Sequence, residues 1–191
     1  GGALLDHQPG QYIGMRLQLN GEEVRRNYSL SALANGREYR ISVKREPGGR
    51  VSNHLHDKVQ VGDVLELFPP AGEFTLSESD KPLALISAGV GITPALAMLD
   101  AARHSGRPIH FIHCARNAEV HAFRDWVDAH AAEHPQIRHY VCYSEPRAGD
   151  RADAEGFLSR ELLEQWLPAE RDLDAYFLGP KPFMAQVKRH L

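Results

Sequence analysis

After Pro82 the chain alternates apolar strand-like runs with amphipathic helix-like runs, and no other feature limits the fold as tightly. LALISAG (83–89) precedes PALAMLDAAR, IHFIHCA (109–115) precedes HAFRDWVDAHAA, RHYVCYS (138–144) precedes SRELLEQWL, and AYFLG (175–179) precedes PFMAQVKRHL. Near-continuous apolar runs of this length are strands covered on both faces, and a helix between successive strands makes them parallel. The expectation is a parallel sheet wrapped by helices on both sides. Such sheets bind ligands at the carboxyl ends of their strands, here Gly89, Ala115, Ser144 and Gly179.

The pattern before Ser77–Pro82 is different. QYIGMRLQL, EVRRNYSLS, EYRISVKRE and DVLELF are short strand-like runs, separated by Asn20-Gly21, Asn35-Gly36, Pro47-Gly48-Gly49 and a final PPAG. Turn residues at these intervals predict a small antiparallel sheet or barrel. Residues 145–156 read as a long polar loop, and no internal repeat is visible.

Composition narrows the function. With 42% hydrophobic and 25% charged residues over 191 positions, the chain has the make-up of a soluble globular protein. Lys plus Arg (22) against Asp plus Glu (25) gives a net charge of −3, which leaves no basic excess for a nucleic acid partner. The longest apolar stretch, Leu83 to Val90, is broken by Ser87 and Gly89, so no membrane span is expected. Two cysteines outside any CxxC, and no visible signal peptide, point to the cytoplasm. The first methionine, Met15, already lies inside a strand-like run, so the chain reads as a piece of a longer one.

The sharpest motif is SAGVGITPAL, where a strand ends in Gly89-Val90-Gly91 and a helix is expected to begin at Pro94. Glycine admits an anion close to the backbone, proline suits a first helical turn, and the free N–H groups of that turn attract negative charge. A pyrophosphate suits this arrangement; a tight strand-to-helix turn without a ligand has the same residues. Pro94 stands where the dinucleotide fingerprint has its third glycine. Pro47-Gly48-Gly49-Arg50-Val51-Ser52-Asn53, ahead of the helix-like HLHDKV, offers either a nest of backbone donors or a plain capped loop. In Arg25-Arg26-Asn27-Tyr28-Ser29, the period of two puts Arg26 and Tyr28 on one face. There a guanidinium could hold a phosphate and a phenol could stack on a ring, although a solvated Arg beside a half-buried Tyr has the same spacing.

The eleven histidines raise a metal question. His130 and His134 share a helix face without an HExxH glutamate, and His110 and His113 point to opposite faces of a strand, so no metal site is expected. Ser87 and Ser144 lack a nucleophile elbow. Cys114 and Cys142 are expected as packing residues, and Trp126 and Trp166 as helix-face core.

Taken in order, PGQYIG, RNYS, KREPGGRVSNHLH, PPAGEF, SAGVGITP and FLGPKPFM resemble the ferredoxin reductase superfamily. Its members join an antiparallel β-barrel that binds FAD to an α/β parallel-sheet domain that binds NAD(P). The wording of YRISVKREPGGRVSNHLHDKV, DVLELFPPAGEF, SAGVGITPALAMLD and VHAFRDW looks like the reductase part of bacterial flavohaemoglobins. There a globin domain with haem b precedes the reductase, and the protein converts nitric oxide to nitrate.

The resemblance implies an FAD-binding barrel over residues 1–79 and an NAD(P)-binding domain over residues 80–191. It puts Arg26 on the FAD pyrophosphate, Tyr28 against the isoalloxazine with Asn27 beside it, and Ser29 near flavin N5. Strict alternation turns Ser29 away from the face of Tyr28, so the strand is expected to end or bulge there. Tyr12 would lie along FAD, and Gly49, Arg50, Val51 and Ser52 would cradle its phosphates. Gly89, Val90, Gly91, Ile92, Thr93 and Pro94 would receive NADH or NADPH, with Thr93 close to the nicotinamide and Gly179 and Pro180 beside it. Tyr28, Ser29 and Thr93 are the implied catalytic residues. Leu178 stands where relatives commonly carry cysteine, which leaves steric support of the ring and no thiol. Relatives also carry about two barrel strands before PGQY and another strand after the last helix, so the chain reads as truncated at both ends.

The implied chemistry is hydride transfer from the nicotinamide nucleotide to FAD, followed by single-electron transfer to haem in the globin domain. Arg116 and Arg147 are possible readers of a 2′-phosphate, whereas Glu145 favours a free ribose hydroxyl; the balance leans to NADH. Two other readings use the same residues. A reductase for a separate oxygenase or iron–sulfur acceptor would differ in what precedes Gly1, and a redox-sensing module would bind nucleotide without reducing a flavin.

Overall fold

The computed structural model describes residues 3–191, and the chain divides into two compact units, one ending at Leu76 and one spanning Ser77–Leu191. In the first unit β1 (Tyr12–Leu19) pairs with β2 (Glu22–Ser29) and with the two-residue β3 (Glu66–Leu67), all antiparallel, in the order β2-β1-β3. Asn20 and Gly21 take φ of 53° and 81°, the two left-handed residues that a tight hairpin turn requires. That turn sets Leu19 opposite Glu22 and Tyr12 opposite Ser29. The period of two then sends Ile13, Met15, Leu17 and Leu19 to one buried face, where Met15, Leu17 and Leu19 pack with Val51 of α1 (Arg50–Asp57).

Two local expectations change. EYRISVKRE forms no ladder: its contact with the strand region is the single bridge Leu30↔Ile41, next to a bond from Ser31 N to Arg40 O at 2.9 Å. The rest of the segment is tied to α1, through His56 Nε2 on Val43 O at 2.8 Å and Arg45 on Asn53 and Asp57. Helix α1 also starts at Arg50, ahead of HLHDKV. Ser52 Oγ accepts from Glu46 N at 3.1 Å, and Asn53 Nδ2 donates to Glu46 O and Gly49 O, so both residues anchor the glycine loop from inside the first turn.

The second unit is a five-stranded parallel sheet of β4 (Leu83–Ala88), β5 (Ile109–Ala115), β6 (Ile137–Tyr143), β7 (Ala154–Glu155) and β8 (Asp174–Leu178), in the order β7-β6-β5-β4-β8. Helices α2 (Ile92–Ala102), α3 (Arg124–Glu133), α4 (Arg160–Trp166) and α5 (Lys181–His190) follow β4, β5, β7 and β8 respectively, with a short 3-10 turn before each of α2 and α3. One sheet face, with Ala84, Ile86, Ile112 and Cys142, packs on Leu163 and Trp166 of α4 and Val187 of α5. The loop over 145–156 contains β7, because Asp153 pairs with Val141 through both its backbone N–H (2.8 Å) and its carboxylate (2.7 Å). At the other end of the strands, buried Arg107 donates to Asp174 and to Lys81 O, each at 2.6 Å. Trp166 is core and stacks on Tyr140 at 4.9 Å, whereas Trp126 is half-buried against the His130 ring at 3.9 Å. Among the described residues no helix is long and apolar enough to cross a membrane.

Candidate functional site

The strand order reverses at β4, which has β5 on one side and β8 on the other. Ligands bind at such a reversal, beyond the carboxyl ends of the strands. The residues that follow β4 and β8 meet there. Gly89 has φ 55° and opens a 3-10 turn through Gly91 that leads directly into α2 at Ile92, two residues before Pro94. Pro94 still falls in the first turn, where its missing N–H leaves no bond unmade. A Cβ on Gly91 would stand 2.6 Å from the Leu178 carbonyl carbon and 2.9 Å from Gly179 N, so only glycine lets the two loops touch. Gly179 is equally confined, with Phe183 and Ala88 at 2.7 and 3.1 Å from a Cβ position.

Gly89 and Val90 are exposed, whereas Gly91, Ile92, Thr93 and Pro94 are buried. The side chain of Ile92 is therefore core. Thr93 donates its hydroxyl to Val90 O at 3.1 Å and keeps its oxygen lone pairs as acceptors. Leu178 ends β8 opposite Ser87, and exposed Pro180 is the N-cap of α5.

At the ends of β5 and β6 the backbone stays zipped, Ser144 N to Ala115 O at 3.0 Å and Glu145 N to Arg116 O at 2.8 Å. Arg147 forms an ion pair with Glu119, and Asp150 accepts from the N–H groups of Ala118 and Arg147. Arg116 is exposed at the end of β5. Cys114 and Cys142 face each other in register on the α4 side of the sheet, where Cys142 Sγ donates to Gly156 O at 3.2 Å.

The first unit presents a second group of residues. Arg26 and Tyr28 share the face of Met15 and Ile13. Burial raises the Tyr28 phenol above its ordinary pKa, and the nearby Arg26 charge opposes that rise, which is the electrostatic signature of a guanidinium beside a phenol. Arg26 is exposed, with NH1 on Arg25 O at 2.7 Å. Ser29 lies directly opposite Tyr12, and the next residue continues the pairing through Leu30 N on Gln11 O at 2.9 Å. No bulge intervenes, so Tyr12, Asn27 and Ser29 occupy the face opposite to Arg26 and Tyr28. Gly72 packs on the Tyr12 ring, since a Cβ there would lie 2.9 Å from Cε1.

In the Gly49–Ser52 turn the side chains are already engaged. Arg50 binds Glu22 at 2.9 Å, Val51 is core, and Ser52 Oγ receives Glu46 N. What remains for an anion is the row of first-turn N–H groups that have no helical acceptor.

Sequence reasoning weighed Ser87 only as a nucleophile and His113 only as a metal ligand, and it passed over His121. Ser87 Oγ lies 2.8 Å from His113 Nδ1, and the His113 ring lies 4.5 Å from His121. His121 is the second residue of VHAFRDW, and a histidine between Val120 and Ala122-Phe123 was the available signal.

Comparisons with known proteins follow the same division. Residues 85–189 match the family described as oxidoreductase NAD-binding domain, and residues 2–76 match oxidoreductase FAD-binding domain. A flavohemoprotein of Pseudomonas aeruginosa is 73% identical over 191 residues, covering 100% of this chain and 49% of that protein. One from Burkholderia sp. strain TH2 is 62% identical, with 100% and 49% covered. The chain thus spans about half the length of the curated relatives it matches. Among solved structures, the flavohem-like FAD/NAD-binding domain of nitric oxide dioxygenase from Vibrio cholerae superposes with a TM-score of 0.89 at 38% identity, covering 100% of this chain and 81% of that one. With two domain families matched in order, a ferredoxin reductase-like fold and this level of identity, the chain belongs to the flavohaemoprotein family, in the part that carries its FAD- and NAD-binding oxidoreductase domains.

Proposed function

We propose that this chain takes hydride from NADH and passes the electrons through FAD to haem in a globin domain of the same full-length protein, which converts nitric oxide to nitrate in the cytoplasm. The observation that carries the reading is the contact of Gly91 with the Leu178–Gly179 peptide at the β4/β8 reversal. The residues fit a dinucleotide: a left-handed glycine opens the turn, Gly91 keeps it low, and Gly89 and Val90 are exposed at the head of the loop, where glycine admits a pyrophosphate close to the backbone. The resemblance of RNYS and GGRVS to the family extends this to FAD in the first unit. The similarity to a flavohemoprotein of Pseudomonas aeruginosa and to the FAD/NAD-binding domain of a nitric oxide dioxygenase supports the acceptor.

A flavin, when bound, supplies the conversion of a two-electron donor into a one-electron donor. The chain's own residues bind and orient. Arg26 is assigned to the FAD pyrophosphate and Tyr28 to the flavin ring, with Asn27, Ser29 and Tyr12 reaching FAD only where β2 ends at Ser29. Residues 49–52 contribute backbone N–H groups, and residues 89–94 hold the nicotinamide nucleotide with the Thr93 hydroxyl near its ring. Leu178, Gly179 and Pro180 limit the ring's position by shape. No general acid or base is needed for hydride transfer. NADH is favoured over NADPH because Arg147 is paired with Glu119 and Glu145 stands two residues before it.

The test is an anaerobic absorbance spectrum of the full-length protein with FAD, before and after NADH. Bleaching of the flavin band followed by haem reduction supports the proposal. Nucleotide binding with an unchanged flavin spectrum would replace it with a sensing role.

A further inference from the structure

The α3 side of the second sheet holds three histidines that the nucleotide and flavin residues leave unexplained. His113 on β5 is 1% exposed, His121 in the turn before α3 is 7% exposed, and the side chain of His139 on β6 is 4% exposed. The His121 ring centre lies 4.5 Å from that of His113 and 6.0 Å from that of His139. Each uses one ring nitrogen: His113 Nδ1 meets Ser87 Oγ at 2.8 Å, His121 Nδ1 meets the Tyr143 hydroxyl at 2.9 Å, and His139 Nδ1 meets Asp128 at 2.6 Å. Nε2 of both His121 and His139 is buried without a partner among the described residues.

The neighbours of His121 make a charged ring unfavourable there. Arg124 donates to the Tyr143 hydroxyl at 3.0 Å, and the same hydroxyl shares a hydrogen bond with Nδ1 of His121 at 2.9 Å, so the imidazole, the phenol and the guanidinium are one connected group. A second proton on His121 would place a full positive charge beside the Arg124 guanidinium, in a ring whose Nε2 has no partner among the described residues. Ser87, at the other end of the layer, is two residues before Gly89 and lies between His113 and Leu178 in the sheet.

We propose that His113, His121 and His139 form an acid-sensitive brace beneath the nucleotide loop: uncharged, they hold Ser87 and residues 117–124 to the sheet, and proton uptake releases that segment and weakens the grip on the nicotinamide nucleotide. The effect on nucleotide rests on the function proposed above; the release of residues 117–124 does not.

The surrounding charges are few. From β4 the layer meets only the Ser87 hydroxyl, and from β6 it meets Tyr143 and His139 itself. From α3 it meets Arg124 and Asp128, and from the loop after β6 it meets Asp150 and Asp153, both held by backbone N–H groups. On α2, Asp100 and Arg103 pair with each other, and Arg103 also reaches His130. Burial, then His139 and Arg124, bring His121 down to about 4, and burial with the charges of the other two histidines holds His113 well below the ordinary range. A released segment would titrate near the ordinary value of about 6.5, so each histidine freed takes up a proton as the pH falls below that point. Opening of this segment therefore grows steeper in acid than for a segment without such groups.

The experiment uses the full-length protein that carries this chain. Hydrogen exchange of residues 117–133, corrected for intrinsic rates, and KM for NADH with ferricyanide as acceptor are followed from about pH 8 to about pH 5. The expected result is a fall in protection of at least about ten-fold, confined to this segment, with KM rising at least about five-fold and kcat changing less than about two-fold. His121→Asn, which keeps an oxygen acceptor for Tyr143 and cannot titrate, is expected to flatten both slopes, as is His113→Asn. Protection that stays constant in the parent protein, or variants that keep the parent slope while melting normally at neutral pH, would overturn the brace. Loosening in acid with no NADH oxidation at any pH would support the brace and overturn the nucleotide reading.

Discussion

Gly91 lies against the peptide joining Leu178 to Gly179, so closely that a Cβ would come within 2.6 Å of the Leu178 carbonyl carbon. The obstacle is backbone at the end of β8, which cannot swing aside as a side chain would.

Gly91→Ala is therefore expected to destabilise the protein by about 2–3 kcal/mol and to raise KM for NADH at least about ten-fold, since relief requires α2 to move away from β8. Thermal melting and steady-state kinetics on one preparation check both. A variant with the parent melting temperature and KM would show that the two loops do not need this contact.

Stability should fall in acid. His121, held at about 4 against an ordinary 6.5, is uncharged in the folded protein and takes a proton readily only when unfolded. Its contribution is complete above the unfolded value and is lost as the pH falls from about 6.5 to about 4, where the folded form also protonates. The gap corresponds to about 3 kcal/mol for this residue, and His110, His113 and His139, all shifted down, add in the same direction. Urea unfolding at neutral pH and near pH 5 measures it; equal midpoints would contradict the prediction.

Arg107 is 5% exposed and donates both to Asp174 and to the Lys81 carbonyl at the end of the sheet opposite the nucleotide loop. Arg107→Met removes the charged partner of Asp174, which keeps only the Ser79 hydrogen bond and the Lys81 charge, and is expected to cost about 2 kcal/mol. KM for NADH, measured well below the melting temperature, should change less than about two-fold, because the residue stabilises the fold and touches nothing at the strand ends that bind.

Flavin retention should depend on the side-by-side pair on β2. Arg26→Gln is expected to weaken FAD binding by about ten-fold or more through loss of a charge-assisted phosphate contact. Tyr28→Leu should weaken it through lost ring stacking. Fluorescence titration of the flavin-depleted full-length protein reads both, and parent-like affinity in both variants would place FAD elsewhere.

Much of this was legible in the residues. The four apolar runs and their helices fell within a few residues of β4, β5, β6 and β8, because strands buried on both faces have little freedom in what they can contain. Asn20-Gly21 specified the hairpin, and the period of two correctly put Arg26 beside Tyr28. EYRISVKRE has the alternation of a strand yet remains unpaired beyond Ile41, since its Val43 carbonyl and Arg45 side chain bond to α1. Alternation states what a segment could pair with, and the partner is decided at long range.

Local sequence thus determined the strands, the tight turns and the glycine loops, all of which depend on neighbours a few residues apart. Only the tertiary structure decided that Gly91 meets Leu178 across a strand reversal, that Ser29 keeps to Tyr12's face, and that three histidines 8 and 18 residues apart in sequence share one buried layer. Those relationships follow from strand order and register, which are set by how whole faces bury together and are not written in any single segment.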